Sequence, residues 1–343
     1  MDPQDEIREG ARNAVRVCMD VGPADRVWVL TDEGTRAIGE LLAEEAAAVA
    51  SQVSLRTLEE YGPRPITEMP ESLERDLREA APTVGFYACE SKQGEIGFRV
   101  QLRPIATDEL KMRWAHMVSI EPRLMREGMR ADYHQVAELT RQVHARVSGA
   151  QEIKVRSPHG TEVAATFSPD WRWIPSHGLY HRPGEWGNLP DGETYTTPAN
   201  LEGTIVAQVL GDYFSPKYGV LDDPVTLLVE AGWITDVACK DRGLAQELWS
   251  YLNQHPNGRR AAEFAIGTNT AVRGLSGNLL QDEKIPGVHI AFGYPYPDTG
   301  ADWSADTHVD VIPVDVSITV DGELLFEQGR FRAEVLRAPG RES

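Results

Sequence analysis

The sequence predicts an α/β amino-terminal domain with a mostly parallel sheet, followed by a β-rich α+β domain that carries a metal site. Three observations predict it. Helical and strand-like apolar patterns alternate through the first half. Around Ser148-Gly149-Ala150 the texture changes to short strands and tight turns. In the second half, three apolar strands carry ionisable residues on one face only. A chain of 343 residues suits two domains, and the change of texture places them at 1–150 and 151–343.

The elements follow in order. Ile7, Ala11, Ala14, Val15 and Cys18 recur at helical spacing over 3–20, and Gly22-Pro23 ends the run. Arg26–Thr31 is a short apolar strand, Thr35–Ala50 a helix carrying Ile38, Leu41, Leu42, Ala46 and Val49, and Val53–Leu58 a second strand. Strand, helix and strand within about thirty residues imply a right-handed parallel crossover. Thr83–Cys89 and Ala115–Ile120 are further strands, and Ala131–Val147 is a helix with Val136, Leu139, Val143 and Val147 on one stripe. Beyond the boundary, Ile153–Arg156 and Val163–Phe167 flank Ser157-Pro158-His159-Gly160. Val225–Val229 and Ile234–Ala238 flank Glu230-Ala231-Gly232, and Val316–Val320 and Leu324–Phe326 flank Asp321-Gly322. These are hairpin signals, interrupted by a helix at Leu244–Leu252.

Charge and composition narrow the function. Lys plus Arg number 34 against 53 Asp plus Glu, a formal charge of −19 that repels phosphate backbones and argues against nucleic acid as a partner. No apolar run reaches the ~20 residues of a membrane span. The start, Met1-Asp2-Pro3-Gln4-Asp5-Glu6, has no basic and apolar leader, so a cytoplasmic protein is expected. Cys18, Cys89 and Cys239 are too few and too scattered for a disulfide framework. The turn Thr31-Asp32-Glu33-Gly34-Thr35 has one glycine where a dinucleotide fingerprint needs three, and no phosphate loop occurs, so the α/β outline reads as scaffold.

The chemistry concentrates in the second half. In Thr307–Ile312 the two-residue strand period projects His308 and Asp310 together while Val309 and Val311 face away. In Val288–Gly293, His289 shares its face with Ala291 and Gly293, small neighbours that leave room for something other than a side chain. In Ala261–Gly267, Glu263 shares its face with Ala261, Ala265 and Gly267, opposite Phe264 and Ile266. A carboxylate in so apolar a strand is costly unless paired or coordinated. Two such strands beside a His-x-Asp strand point to a metal cluster.

A fourth segment, Gly187–Pro198, reads as a loop running into a short strand, with Glu193 unremarkable by itself. The order Asn188-Leu189-Pro190-x-Gly192-Glu193, then Glu263, then His289-Ile290-Ala291-Phe292-Gly293-x-x-Tyr296, then His308-x-Asp310 resembles the metal-binding constellation of the M29 aminopeptidases. That resemblance implies ligands at Glu193, Glu263, His289, Tyr296, His308 and Asp310, with Tyr294 a competing candidate for the role of Tyr296. It also implies two divalent ions, release of N-terminal amino acids from peptides and a homodimer; oxygen ligands with only two imidazoles suit Zn, Mn or Co, and hydrolysis of a small amide is a close variant. Three carboxylates and a metal-bound phenolate would balance two such ions. Glu263 would bridge the ions or act as the general base on a metal-activated water. His177, His181 and Trp186, with Trp171 and Trp173, lie ahead of Glu193 and are candidates for holding substrate.

The same fold resembles the dihydroxypyridine ring-cleaving dioxygenases, which implies the alternative of one Fe(II) held by His308, Asp310 and either His289 or His255. Glu193, Glu263 and Tyr296 would then be additional acidic groups around a single ion. A non-catalytic binding protein would be expected to have lost ligands, and none of the six is lost.

Overall fold

The computed structural model describes residues 2–211 and 213–336. The chain divides into two compact units, Met1–Gln135 with His177–Asp191 and Val136–Ser176 with Gly192–Ser343. The single boundary expected near 150 is thus replaced by three passages of the chain between units. The physical reason is the segment 177–191, which returns to complete a sheet begun by the first hundred residues.

In chain order the strands are β1 (Arg26–Thr31), β2 (Gln52–Thr57), β3 (Val84–Ala88), β4 (Arg113–His116), β5 (Glu152–Arg156), β6 (Glu162–Thr166), β7 (Ile174–Ser176), β8 (Trp186–Asn188), β9 (Glu193–Thr196) and β10 (Asn200–Ala207). They continue as β11 (Val209–Leu210), β12 (Val225–Glu230), β13 (Trp233–Ala238), β14 (Ala261–Gly267), β15 (Gly287–Gly293), β16 (His308–Ile312), β17 (Ser317–Val320), β18 (Glu323–Glu327) and β19 (Arg330–Phe331).

The first unit is built on a parallel sheet of order β2-β1-β3-β4-β8. The expected crossover is present, with the helix Arg36–Ala47 joining β1 to parallel β2. On one sheet face Trp28, Leu30, Tyr87 and Trp114 pack with Leu73 and Leu77 of the helix Glu71–Ala80 and with Phe98 and Leu102 of the helix Ile96–Pro104. The expected strand 115–120 is shifted to 113–116. Beyond it, Ser119 takes a left-handed φ of 57° and the strand cannot continue.

The second unit holds two antiparallel sheets. One has eight strands in the order β13-β12-β10-β6-β5-β17-β18-β19, and the other has six in the order β11-β16-β15-β14-β9-β7. Ile153, Val155, Leu201, Ile205, Leu227 and Ile318 of the larger sheet share one core cluster with Phe264, Ile266, Ile290, Phe292, Val309 and Val311 of the smaller. The apolar half of each alternating strand is therefore spent on the core, and the other face of the six-stranded sheet is left to polar groups. No helix among the described residues is long and apolar enough to cross a membrane.

Candidate metal centre

Cross-strand register assembles the site on that polar face. Glu193 on β9 lies opposite Gly267 on β14, and Ala265 lies opposite both Tyr195 on β9 and His289 on β15. Ala291 on β15 lies opposite both Glu263 on β14 and Asp310 on β16, and Gly293 lies opposite His308. A floor of Ala265, Gly267, Ala291 and Gly293 thus separates the functional side chains. Two of these glycines are required by close approach. A Cβ at Gly267 would stand 2.0 Å from the Ile285 carbonyl oxygen, and one at Gly293 (φ 112°) would stand 2.0 Å from that of Thr307.

The side chains converge within ligand distance of one another. His289 Nε2 lies 3.5 Å from Glu193 Oε2 and 3.6 Å from Glu263 Oε1. His308 Nε2 lies 3.3 Å from Glu263 Oε2 and 3.6 Å from Asp310 Oδ1. The other ring nitrogen of His308, Nδ1, is 2.8 Å from the Tyr294 carbonyl oxygen. Donation to that carbonyl occupies Nδ1 and leaves Nε2 as the ring nitrogen that faces the carboxylates, the one available to an ion once deprotonated. Glu193, Glu263, His289 and Asp310 are all buried.

Burial and mutual charge set the protonation of the ion-free cluster. Burial pushes the Glu193 carboxyl up to about 8, against the pull of the Lys284 ammonium. Burial acts on Glu263 in the same sense, but the two imidazoles facing it outweigh burial and hold it at about 2. Burial would lower His289, yet Glu263 and Glu193 carry it up to about 9, and Asp310 and Glu263 raise His308 well above its ordinary value in the same way. The pocket is therefore short of positive charge and draws protons onto its own imidazoles.

The donor set fits a divalent ion. Three buried atoms of ligand type, Glu193 Oε2, His289 Nδ1 and Asp310 Oδ1, have no hydrogen-bond partner. Two triads, Glu263–His308–Asp310 and Glu283–His289–Asp310, each bring three ligand atoms within 4.8 Å of one another, and they share Asp310. Carboxylate and imidazole donors without thiolate suit Fe(II), Mn, Co or Zn.

Of the residues the sequence singled out, Glu193, Glu263, His289, His308 and Asp310 come together here. The Tyr296 ring lies at their edge, 5.0 Å from the His308 ring and 5.6 Å from Tyr195. Its backbone is tied down through Thr299, whose hydroxyl donates to the Tyr296 carbonyl at 2.8 Å and meets the Thr197 hydroxyl at 2.8 Å. His255 is taken up in a turn, where its Nδ1 accepts the Asn257 N–H at 3.1 Å, and it belongs to neither triad. His177, His181 and Trp186 belong to the first unit. There His177 Nδ1 accepts the Leu179 N–H at 3.2 Å, His181 Nε2 lies 2.8 Å from the Val17 carbonyl, and Trp186 on β8 lies under the Arg103 guanidinium at 4.6 Å.

Sequence reasoning missed Glu283 and Lys284. Lys284 Nζ lies 2.5 Å from Glu193 Oε1 and 2.8 Å from Glu283 Oε1, and the lysine is among the largest fully buried side chains. Gln281 and Asp282 close the helix Leu279–Asp282, and with Glu283 and Lys284 they make a run of four polar residues with no apolar periodicity. Only the packing of that turn against Gly267 reveals it as interior.

Fold and site together place a buried cluster of carboxylates and imidazoles, a donor set that suits a divalent ion, on one face of an antiparallel sheet. The chain belongs to the 2,5-dihydroxypyridine 5,6-dioxygenase family (NicX), whose family model matches residues 116–333 and so spans the whole site. Among solved structures, it is similar to the 2,5-dihydroxypyridine dioxygenase from Pseudomonas putida KT2440. That match has a TM-score of 0.72 and 16% identity, and covers 98% of this chain and 100% of the other. It is also similar to the M29 aminopeptidase AmpT from Thermus thermophilus, with a TM-score of 0.70, 16% identity, and 96% and 99% of the two chains covered. No curated protein sequence matches the chain. Both resemblances seen in the sequence are thus present at the level of fold.

Proposed function

We propose that this chain is a metal-dependent ring-cleaving dioxygenase that takes one Fe(II) and acts on a dihydroxylated nitrogen heterocycle of the dihydroxypyridine type. One observation carries the reading. His308, fixed through Tyr294, faces Asp310 and Glu263 on a floor of alanines and glycines, in a chain whose family match covers this whole region. Two imidazoles with a carboxylate are the donor set of non-haem ferrous oxygenases, and His289 supplies the second imidazole. A bound ferrous ion supplies one-electron chemistry between ring and dioxygen. Both oxygen atoms of dioxygen end on the two carbons of the broken ring bond, and no external reductant is needed.

The chain's own groups supply the rest. The floor of Ala265, Ala291 and Gly293 presents nothing larger than a methyl group, and the rings of Tyr195 and Tyr296 meet beside it as aromatic walls. Glu263, between two imidazoles, is the group placed to hold or pass a proton from a ring hydroxyl.

A second reading is an aminopeptidase-like hydrolase with two divalent ions activating a water. The observation in its favour is the pair of triads sharing Asp310, because a shared carboxylate is what a two-metal site needs. Anaerobic reconstitution with Fe(II), followed by dioxygen-electrode recording with 2,5-dihydroxypyridine, separates the two. Dioxygen uptake matched to loss of the ring absorbance is the expected result. Oxygen-independent release of an amino acid from peptide or aminoacyl amide substrates, with no ring consumption, would transfer the assignment to the hydrolase.

A further inference from the structure

We infer that the Lys284 ammonium occupies the second cation position of this centre and thereby limits it to one divalent ion. The inference rests on the single-ion reading above and names the residue that enforces it. Lys284 is 1% exposed and bridges Glu193 to Glu283, and Glu283 is a member of the second triad. The site therefore already contains a positive charge on the carboxylates that a second ion would use.

The lysine is held there by backbone. Its N–H donates to the Gln281 carbonyl at 2.9 Å, and its own carbonyl accepts the Asn269 N–H at 3.0 Å. The turn passes close against Gly267, and Gly267 is the register partner of Glu193. The turn thus brings the lysine side chain to Glu193, and the buried ammonium is held between the Glu193 and Glu283 carboxylates.

Charge balance gives the same result. Glu193, Glu263 and Asp310, all buried, and the partly buried Glu283 are four carboxylates in one cluster. With the ammonium and one divalent ion, a single negative charge remains, which one further proton or a positively polarised ligand offsets. A second divalent ion would make the cluster net positive and would sit beside the ammonium on the same oxygens. At such separations the repulsion of like charges is several kcal/mol even at an effective dielectric constant of about 20. Without the ammonium, four carboxylates match two divalent ions.

The test is metal stoichiometry of the purified full chain, by mass spectrometry and by anaerobic titration with Mn(II) and Fe(II). Wild type is compared with Lys284→Met and with Lys284→Gln, which keeps an uncharged polar end group on a longer stem. The expected result is one ion per chain in wild type and two in either variant, with a larger rise in melting temperature on adding Mn(II) to the variant than to wild type. One ion in wild type and one in both variants would overturn this inference while leaving the single-ion reading intact. Two ions in wild type would overturn both. Failure of both variants to fold in the presence of millimolar Mn(II) would also overturn it, because the ion is required to replace the missing charge.

Discussion

At the scale of single residues, the site is a balance between two imidazoles and the carboxylates that face them. Glu263 stands at its centre, within 3.6 Å of both His289 and His308. Glu263→Gln keeps the shape and removes the charge, so turnover should fall by the ~10²–10⁴ typical of a lost proton-transfer group. His308→Ala removes a proposed ligand whose Nδ1 is already fixed by the Tyr294 carbonyl, and it should abolish both metal retention and activity. In both variants far-UV circular dichroism should remain that of wild type, since the core lies on the opposite face of the sheet. Steady-state kinetics with metal analysis check this pair, and wild-type turnover in both would refute the site. Tyr296 is a milder case. It meets His308 and Tyr195 through ring contacts, so Tyr296→Phe should leave metal content unchanged if its role is that of a wall. Loss of the ion in that variant would make it a ligand.

At the scale of elements, what could be read from the sequence follows from how local each signal is. The strands β14, β15 and β16 lie within a residue of their expected ranges, because a two-residue alternation of Val, Ile or Phe with small or ionisable residues is a strictly local pattern. The same alternation identified Glu263, His289, His308 and Asp310 before any partner strand was known. Strand β10 was not legible, although it is the longest strand described. Glu202-Gly203 breaks its alternation, and Gly203 is there because a Cβ would stand 2.1 Å from the Glu162 carbonyl oxygen on β6. Likewise 187–198 reads as one loop running into a short strand, whereas β8 joins the parallel sheet and β9 the antiparallel one, a split decided by distant partners. Gly267 is a testable case of such a long-range demand. Gly267→Ala would drive a methyl group into the Ile285 carbonyl at 2.0 Å, and overpacking of this kind costs about 1–3 kcal/mol. Denaturant titration should show that loss at an unchanged m-value, together with weaker metal retention as the Lys284 turn shifts. A variant as stable as wild type would mean that the turn accommodates the methyl group and that the glycine is not what positions Lys284.

At the scale of the whole molecule, the two units respond to different solution variables. The second unit holds the proposed ligand set, so an ion that binds only its folded form would stabilise it by mass action, about 2.7 kcal/mol at a hundredfold excess over Kd. The first unit is tied instead by a buried ion cluster. Arg64 Nη1 lies 2.8 Å from Asp32 Oδ2 and 3.4 Å from Glu59 Oε1, and the guanidinium also holds Glu95 through two contacts. Burial alone would raise the pKa values of Asp32 and Glu95, but Arg64 and backbone N–H donors override it and hold both carboxyls below their ordinary range. A carboxyl with a depressed folded pKa leaves the unfolded chain binding more protons as the solution is acidified. The stabilisation is therefore complete above the ordinary carboxylate range, about 4–4.5, and is lost as pH falls through the depressed folded values. Asp32→Asn removes one of the two linked titrations and strands part of the Arg64 charge. It should cost ~3–5 kcal/mol near pH 7, the range for breaking a buried pair. The gap to wild type should then narrow as both are taken from pH 5 to pH 3. Calorimetry of metal-free protein across that range checks the slope, and repeating it at pH 7 with Mn(II) should move the transition of the second unit without moving the Asp32-dependent one. Parallel pH profiles for wild type and Asp32→Asn would show that the cluster is not the acid-sensitive element of the first unit.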